Sequence, residues 1–151
     1  MLVNDRSEFD LNEKIIKMIE LYGEDDDFFG EVSEEYIKNA EEKLGVKFPN
    51  SYRDFIKKFG SGGICGVELE GVQGKLGASV VDVTERWRRL GLDKNLIVIE
   101  DSGEFASCMY GADMNDNRIF GWDRGGIDLH PRYNTFNDYV IDVFEEGINN
   151  W

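Results

Sequence analysis

The clearest hydrophobic pattern in the chain lies between Phe48 and Gly63. Four apolar residues there recur at i, i+3, i+4 and i+7, the spacing that places side chains on one face of a helix. They are Tyr52, Phe55, Ile56 and Phe59. Pro49 suits the first turn of this helix, because an N–H at that position would have no intrahelical partner. The segment therefore predicts a short helix with an aromatic face in the core, ended by the glycines at 60, 62 and 63.

Four other stretches show the same helical periodicity. Each begins at a residue that can cap a helix with its side chain. The predicted caps are Asp10, Ser33, Ser79 and Thr135. The first helix carries its stripe on Leu11, Ile15, Met18 and Tyr22. Gly23 and Gly45 are the predicted ends of the first and second helices, since glycine readily adopts the backbone conformation that closes a helix.

Strand patterns occupy the middle of the chain. Residues 64–72 alternate apolar with polar or small residues, which predicts a half-buried strand with Glu68 and Glu70 on its outer face. The apolar run at 96–99 predicts a central strand, and two more strands are predicted at 105–110 and 118–122. Short connections between strands favour antiparallel pairing. The predicted fold is therefore α+β, a mostly antiparallel sheet packed with helices in a single domain spanning residues 1–151.

Composition supports a globular chain in the cytoplasm. The 151 residues are 41% hydrophobic, which is enough for one domain to bury a core. The sequence has no apolar run long enough for a membrane span and no secretory signal at its start, so we expect a cytoplasmic protein that does not bind membranes. Cys65 and Cys108 lie far apart in sequence in apolar, strand-like surroundings, and we predict that they are buried free thiols, with a structural disulfide as the alternative.

The charge of the chain is strongly negative and unevenly distributed. Thirty-one acidic and 17 basic residues give a formal net charge of -14. Residues 1–47 carry 14 acids and 6 bases, and residues 92–151 carry 12 and 4, whereas residues 48–91 carry 5 and 7. Such a surface repels nucleic acid and favours a cationic partner. The alternative is that the charge only keeps the protein soluble.

Motifs of catalysis and cofactor binding fail on inspection. Residues 71–75 lack the spacing and the hydroxyl of a phosphate-binding loop, and residues 113–118 have arginine in place of the glycine that a calcium loop needs. His130 is the one histidine, so a multi-histidine metal centre is excluded. We therefore predict a protein that is not an enzyme and holds no metal or cofactor. The enzymatic alternative is a hydrolase that depends on His130 or on a carboxylate.

Three segments resemble the SUKH superfamily, the Smi and Knr homologues that are widespread as bacterial immunity proteins. Phe48-Pro49-x-x-Tyr52-x-x-Phe55-Ile56 and the glycines at 60–63 are similar to the family's L-P-x-x-Y-x-x-F-L followed by N-G-G. Residues 96–101 with 105–110 and Asp113 resemble the family's central strand pair. The family's closing helix is similar to Phe136-x-x-Tyr139-Val140. The resemblance covers about residues 30–145. Phe48 replaces the usual leucine, and the glycine stretch lacks the asparagine.

The resemblance implies a SUKH-like fold and an immunity function. Proteins of this kind are cytoplasmic, are encoded beside a toxin and bind its catalytic domain, and the family supplies no catalytic residues to carry over. The acidic surface complements the basic groove with which a nuclease binds phosphates. We therefore expect an immunity protein that neutralises a cognate toxin, a nuclease of a polymorphic or contact-dependent system, by occluding its active site.

The candidate partner-binding residues are acidic. They are Glu24, Asp25, Asp26, Asp27, Glu68, Glu70, Glu100, Asp101 and Glu104. The alternative function is a regulatory module that binds a small molecule or a peptide. Its predicted groove is formed by Gly62, Trp87 and Trp122, because aromatic side chains commonly line such grooves.

Overall fold

The computed structural model describes residues 13–151 of the chain. This part contains five α-helices and one antiparallel sheet of four strands, which confirms the predicted α+β class. In chain order the elements are α1 (Glu13–Tyr22), α2 (Glu34–Leu44), α3 (Asn50–Phe59), α4 (Ser79–Arg89), β1 (Leu96–Asp101), β2 (Phe105–Tyr110), β3 (Ile119–Asp123), β4 (Leu129–Tyr133) and α5 (Phe136–Asn150). A single 3-10 turn, Gly74–Leu76, precedes α4. None of the helices described is long and apolar enough to cross a membrane.

The sheet is a meander in which each strand pairs with the next, in the order β1-β2-β3-β4. The prediction that residues 96–99 form a central strand is wrong, since β1 is an edge strand. Its outer edge is nevertheless covered: the Val98 N–H donates to Thr84 Oγ1 of α4 at 3.0 Å, and the Glu70 N–H donates to the Ile99 carbonyl at 2.8 Å. Both faces of β1 are buried as well, which explains why an edge strand has the continuous apolar sequence of a central one.

The opposite edge strand, β4, was not predicted from the sequence. Its middle residues are exposed, and Pro131, which pairs with Phe120 of β3, removes one backbone donor from the strand. An exposed strand with a proline lacks both the apolar alternation and the β-forming residues on which strand prediction depends. β4 is therefore a strand that the sequence pattern does not indicate.

Residues 64–72 do not form the predicted strand. The segment is an irregular loop that makes one isolated bridge, between Gly62 and Leu69. Cys65 and Gly66 both have positive φ, 53° and 82°, a conformation incompatible with an extended strand. Ile64 and Leu69 are buried although the backbone turns between them. The alternation in the sequence therefore reflects a loop that buries selected side chains, and Glu68 and Glu70 do not share the outer face of a strand.

Both faces of the sheet are covered. On β1, Ile97 and Ile99 point into the main core, whose other residues come largely from α1, α2, α3 and α5, whereas Leu96 and Val98 point into a second core beneath α4. The predicted aromatic face of α3 lies in the main core, where the Tyr52, Phe55 and Phe136 rings lie 5.7 to 6.4 Å apart. The helices thus sandwich the sheet.

The predicted helix caps have mixed outcomes. Thr135 Oγ1 accepts the Asp138 N–H at 3.0 Å, which confirms the cap of α5. Ser33 precedes α2 as predicted, but its side chain makes no capping hydrogen bond. Ser79 is the first residue inside α4 instead of its cap, and its hydroxyl accepts the Gly71 N–H at 3.0 Å. That bond joins α4 to the loop that precedes it.

The predicted stripe of the first helix is confirmed at two of the three positions that the structure describes and wrong at Tyr22. Ile15 and Met18 of α1 are buried, whereas Tyr22 is exposed. The helix ends at the predicted position, with the Gly23 N–H donating to the Ile19 carbonyl at 2.8 Å. Asp10 and Leu11 lie outside the described residues, so the predicted cap of this helix stays a prediction.

A buried carboxylate joins α2 to α3. Glu41 is 4% exposed, and its Oε2 accepts the Phe48 N–H at 2.8 Å, just before α3. The Arg53 guanidinium of α3 donates to Glu41 Oε1 at 3.1 Å and also pairs with Glu34 at the start of α2. Because every strong polar group of this cluster has a partner, the cluster can remain buried between the two helices.

Candidate functional site

The three groups of acidic residues singled out in the sequence lie side by side in the structure. The turn at 24–27 contacts the loop that follows α3, where the Gly63 N–H donates to the Asp27 carbonyl at 3.2 Å. That loop continues to Glu70, whose N–H bonds to β1 one residue before Glu100. We call this surface the acidic edge, and its members are Glu24, Asp25, Asp26, Asp27, Glu68, Glu70, Glu100, Asp101 and Glu104.

The members of the acidic edge differ in exposure. Glu24, Asp25, Asp26, Glu68 and Glu104 are exposed. The other four are half-buried, and Asp101 is the one with a salt bridge among residues 13–151, to Arg86 at 2.9 Å. Burial acts to raise the pKa of Asp101, but bonds from the Gly103 N–H and Arg86 outweigh it and hold that pKa below its usual range. Asp101 therefore carries a full negative charge at neutral pH.

Glu70 is in a less favourable environment for charge. Its partial burial raises the pKa of the carboxyl group to about 7, and the negative charges of Asp101 and Glu68 act in the same direction. Ser79 and Arg86 oppose this rise without cancelling it. Folding therefore brings Glu70 close to other carboxylates at some cost in free energy at neutral pH.

Replacing Glu70 with glutamine is expected to stabilise the protein at pH 8 and to change little at pH 4. Below pH 4.5, the ordinary pKa of a glutamate, the Glu70 carboxyl group is protonated in both the folded and the unfolded chain, so its charge does not affect stability. As the pH rises through about 7, the folded protein must carry an unfavourable negative charge at Glu70, which lowers its stability. The gain at pH 8 should be about 1 to 2 kcal/mol, because partial exposure screens the repulsion. Urea unfolding at both pH values measures it.

Glu104→Gln is the matched control for this prediction. It removes the same formal charge from the exposed turn after β1, outside the Glu70 environment. A stabilisation of Glu70→Gln that is equal at pH 4 and pH 8 would contradict the electrostatic explanation, and so would an equal gain in the control.

A polar cleft opens beside the acidic edge. It has a volume of about 340 Å³ and lies between the sheet, α5 and the loop at 65–67. We call it the Glu100 cleft, and its polar lining includes Glu100, Ser102, Ser107, Arg132, Glu146 and Asn150. The Glu100 carboxylate accepts a hydrogen bond from the hydroxyl of the fully buried Tyr139. Burial raises the pKa of Glu100, although Tyr139 and Arg132 act against the rise.

Arg132 reaches the cleft across the neighbouring strand. Its side chain runs from β4 over β3, and its Nη1 donates to Ser107 Oγ of β2 at 2.8 Å. The path requires a glycine beneath it, since a Cβ at Gly121 would lie 2.9 Å from the Arg132 Cδ. The guanidinium lies over the Phe105 and Tyr133 rings, 5.1 and 5.2 Å from their centroids. These contacts hold Arg132 in one position.

The alternative groove of the sequence prediction is not assembled. The Trp87 and Trp122 rings do meet edge to face, with centroids 6.0 Å apart, but they are 2% and 7% exposed and belong to the second core. Gly62 lies on the other side of the sheet, where it bridges Phe28 and Leu69. A separate cleft of about 580 Å³ touches Trp122 and has the 92% exposed Ile127 at its rim.

The two cysteines are free, as predicted, but only one is buried. Cys108 is inaccessible in β2, and burial raises its thiol pKa to about 12. Cys65 is half-exposed in the loop that lines the Glu100 cleft, where burial and the nearby Asp27 and Glu24 carboxylates raise its pKa. Both environments disfavour the thiolate, the reactive form of cysteine.

His130 lies on the exposed face of β4. Its Nε2 is 3.6 Å from Asp123 Oδ2, a surface contact with a residue of β3. Across residues 13–151, no group of three or more His, Cys, Asp or Glu side chains has the arrangement of a metal site. The candidate functional site is therefore the acidic edge together with the Glu100 cleft.

Comparison with known proteins places this fold in a family. A family model described as SUKH_5, SMI1-KNR4 cell-wall, matches residues 12–145. Among solved structures, the crystal structure of a protein from Pseudomonas syringae pv. tomato superposes with a TM-score of 0.71 and 19% sequence identity, over 89% of this chain and 99% of that one. At this identity the likeness establishes the fold alone. Because the family model covers most of the sequence, the chain belongs to the SUKH_5 family of SMI1-KNR4 proteins.

Proposed function

We propose that this protein is an immunity protein that binds a cognate bacterial toxin and occludes its active site. We further propose that the toxin is a nuclease of a polymorphic or contact-dependent system, with a basic surface around its catalytic groove. Membership of the SUKH family is compatible with an immunity function. The proposal concerns a protein that acts by binding and occlusion, in the cytoplasm of the producing cell.

The observation that carries the proposal is the acidic edge. Three segments far apart in sequence lie next to one another and together carry nine acidic residues, and the formal net charge of -14 adds to their field. Among the described residues, the salt bridge of Asp101 to Arg86 is the one that neutralises a member of this surface. The remaining charge is available to a partner. Complementary charge accelerates association and disfavours wrong partners, both of which an inhibitor of a toxin needs.

The first test isolates the partner. The tagged protein is purified from its native host, the co-purifying proteins are identified by mass spectrometry, and the catalytic domain of the candidate toxin is assayed for nuclease activity with and without the wild-type protein. Stoichiometric loss of activity is the expected result. A partner that the protein binds without inhibiting it would contradict the proposal.

The second test examines the acidic edge itself. A folded variant in which Glu24, Asp25, Asp26, Glu68 and Glu104 become the corresponding amides should inhibit the toxin at least 10-fold more weakly and with a smaller dependence on salt. The control variant changes five exposed acids elsewhere to amides. They are Glu31, Glu35, Glu42, Glu85 and Asp128. An equal loss in both variants would show that total charge, and not this surface, determines inhibition.

A second candidate function uses the cleft beside Trp122. Its volume of about 580 Å³ and its rim residue Ile127, 92% exposed, fit a small apolar molecule or a peptide side chain. A thermal shift screen against metabolites and peptides tests it, since a ligand that binds the folded state raises the unfolding temperature. Stabilisation by such a ligand, together with no inhibition of any toxin domain, would favour this regulatory function over immunity.

A further inference from the structure

The Glu100 cleft is a recess next to the surface on which we expect the toxin to bind. The end of β1 contributes Glu100 to both, so a partner that covers the acidic edge also covers the mouth of the cleft. The recess of about 340 Å³ is large enough for one long side chain and too small for a folded element. Interfaces concentrate their binding energy where such an anchoring side chain enters a pocket.

The carboxylate of Glu100 is held in place and only partly satisfied. Among residues 13–151, the Tyr139 hydroxyl is the donor to Glu100, and it bonds one oxygen, Oε1. Tyr139 is fully buried, which fixes the carboxylate against the wall of the cleft. Partial burial disfavours the charge, as the raised pKa of Glu100 indicates. A cationic ligand would therefore gain a preorganised carboxylate whose second oxygen is open.

The other charged groups of the cleft favour a cation. Glu146 of α5 also lines it, and the negative charges of Glu146 and Glu100 repel each other. Arg132 is the basic residue of the lining, but it already donates to Ser107 and lies over the Phe105 and Tyr133 rings. Its guanidinium is thus engaged within the protein. Its charge also acts to lower the pKa of Glu100, but the cleft holds two carboxylates against this one cation.

We infer that the Glu100 cleft receives an arginine side chain of the partner, whose guanidinium is bound by Glu100 and Glu146. The inference rests on the proposed immunity function and names the chemistry of its contact. Arginine fits better than lysine because a planar guanidinium presents several N–H donors in a fixed fork, which can serve two carboxylates at once. The Phe105 ring, which lines the cleft, already lies beneath the Arg132 guanidinium, so this wall accommodates a guanidinium group.

The inference can be tested without the toxin. The probe is the peptide acetyl-Gly-Arg-Gly-amide, titrated into the full-length ¹⁵N-labelled protein and followed by amide chemical shifts. Saturable shifts are expected at Gly66, Val67 and Gly147, which line the cleft. The peptide with citrulline in place of arginine has nearly the same shape without the charge and should cause none, and the lysine peptide should bind at least 3-fold more weakly.

Variants identify the carboxylates. Glu100→Gln keeps the size of the side chain and an acceptor for Tyr139, and it should weaken binding of the arginine peptide at least 10-fold. Glu146→Gln, at a more exposed position, should weaken it several-fold and provides a second test if the first variant folds poorly. Glu35→Gln removes the same charge from an exposed position on α2, outside both the cleft and the acidic edge, and should stay within 2-fold of wild type. Equal binding of the citrulline peptide, or unchanged binding by Glu100→Gln, would overturn the inference.

The toxin assay separates this inference from the immunity function. Glu100→Gln should also inhibit the toxin at least 10-fold more weakly than Glu35→Gln. If the wild-type protein inhibits the toxin and Glu100→Gln does so equally well, the arginine contact is wrong and immunity stands. If the wild-type protein binds the arginine peptide selectively but no toxin is inhibited, the immunity function fails and the selectivity of the cleft remains.

Discussion

Gly62→Ala is expected to lower the free energy of unfolding by about 3 to 4 kcal/mol, the sum of a backbone strain and a steric overlap. Gly62 has φ of +115°, which an L-residue with a side chain rarely adopts. A Cβ at this position would also lie 2.1 Å from the carbonyl oxygen of Asp27, so the turn at 24–27 would have to move. Urea unfolding followed by tryptophan fluorescence measures the loss.

Gly30→Ala separates the two contributions. Gly30 has nearly the same φ, +122°, but no atom lies within 4 Å of the position of its Cβ. This control should therefore cost only the backbone strain, about 1 to 2 kcal/mol. If the two variants lose the same free energy of unfolding, the close approach of Gly62 to Asp27 does not contribute to the loss. If Gly62→Ala is less stable as expected, it should also weaken toxin inhibition, since the turn that moves belongs to the acidic edge.

Glu41→Ala should destabilise the protein by about 3 kcal/mol, because it removes the buried acceptor shared by two elements. The Phe48 N–H loses its partner at the entry to α3, and the mostly buried Arg53 retains one carboxylate, that of Glu34. Chemical unfolding and the thermal midpoint both report the effect. The family motif that begins at Phe48 thus depends on a charged residue in the preceding helix.

Glu34→Ala is the matched variant for this comparison. Its carboxylate also pairs with Arg53, but its side chain is 41% exposed and water can replace it. The expected loss is below about 1 kcal/mol, as for other exposed ion pairs. A loss as large as that of Glu41→Ala would mean that the pairing of Arg53 matters and that the burial of Glu41 does not.

The sequence predicted the helices well because each signal is local. The stripe on α3 and the capping pair of Thr135 and Asp138 depend on residues within one or two turns of each other, and both are confirmed. Tyr52, Phe55 and Ile56 of that stripe are buried, and Phe59 is partly buried against the main core. Such signals survive in the folded protein because the core imposes the same periodicity that the helix does.

Strand predictions failed where neighbours outside the strand decide the outcome. Residues 96–99 are apolar on both faces because the main core lies against one face of β1 and the second core against the other. The edge position of β1 follows from its bonds to α4 and to the loop carrying Glu70, which no short stretch of sequence reveals. β4 was not predicted because Pro131 and its exposed neighbours do not show a strand pattern. The segment is a strand because it pairs with β3, a contact that lies outside its own sequence. At Cys65 and Gly66 positive φ angles break an alternation that otherwise suggests a strand.

The acidic residues of the candidate site could be predicted from the sequence, but the cleft beside them could not. The acidic residues could be selected because their charge is evident, and the structure places the three groups next to each other. The Glu100 cleft could not be predicted, since Glu100, Arg132 and Tyr139 come from β1, β4 and α5. Gly121 was the one local sign, a glycine within a strand, but its reason is the side chain that passes over it.

The covering of the two sheet edges limits how any partner can bind. On β1 the Val98 N–H is already bonded to Thr84 and the Ile99 carbonyl to Glu70, while Pro131 removes a donor from β4. These edges are poor templates for an additional strand, whether from a binding peptide or from an unfolded neighbour. Recognition must then depend on side chains. Chains with this backbone could therefore change partners through surface substitutions alone, without any change in the sheet that supports them.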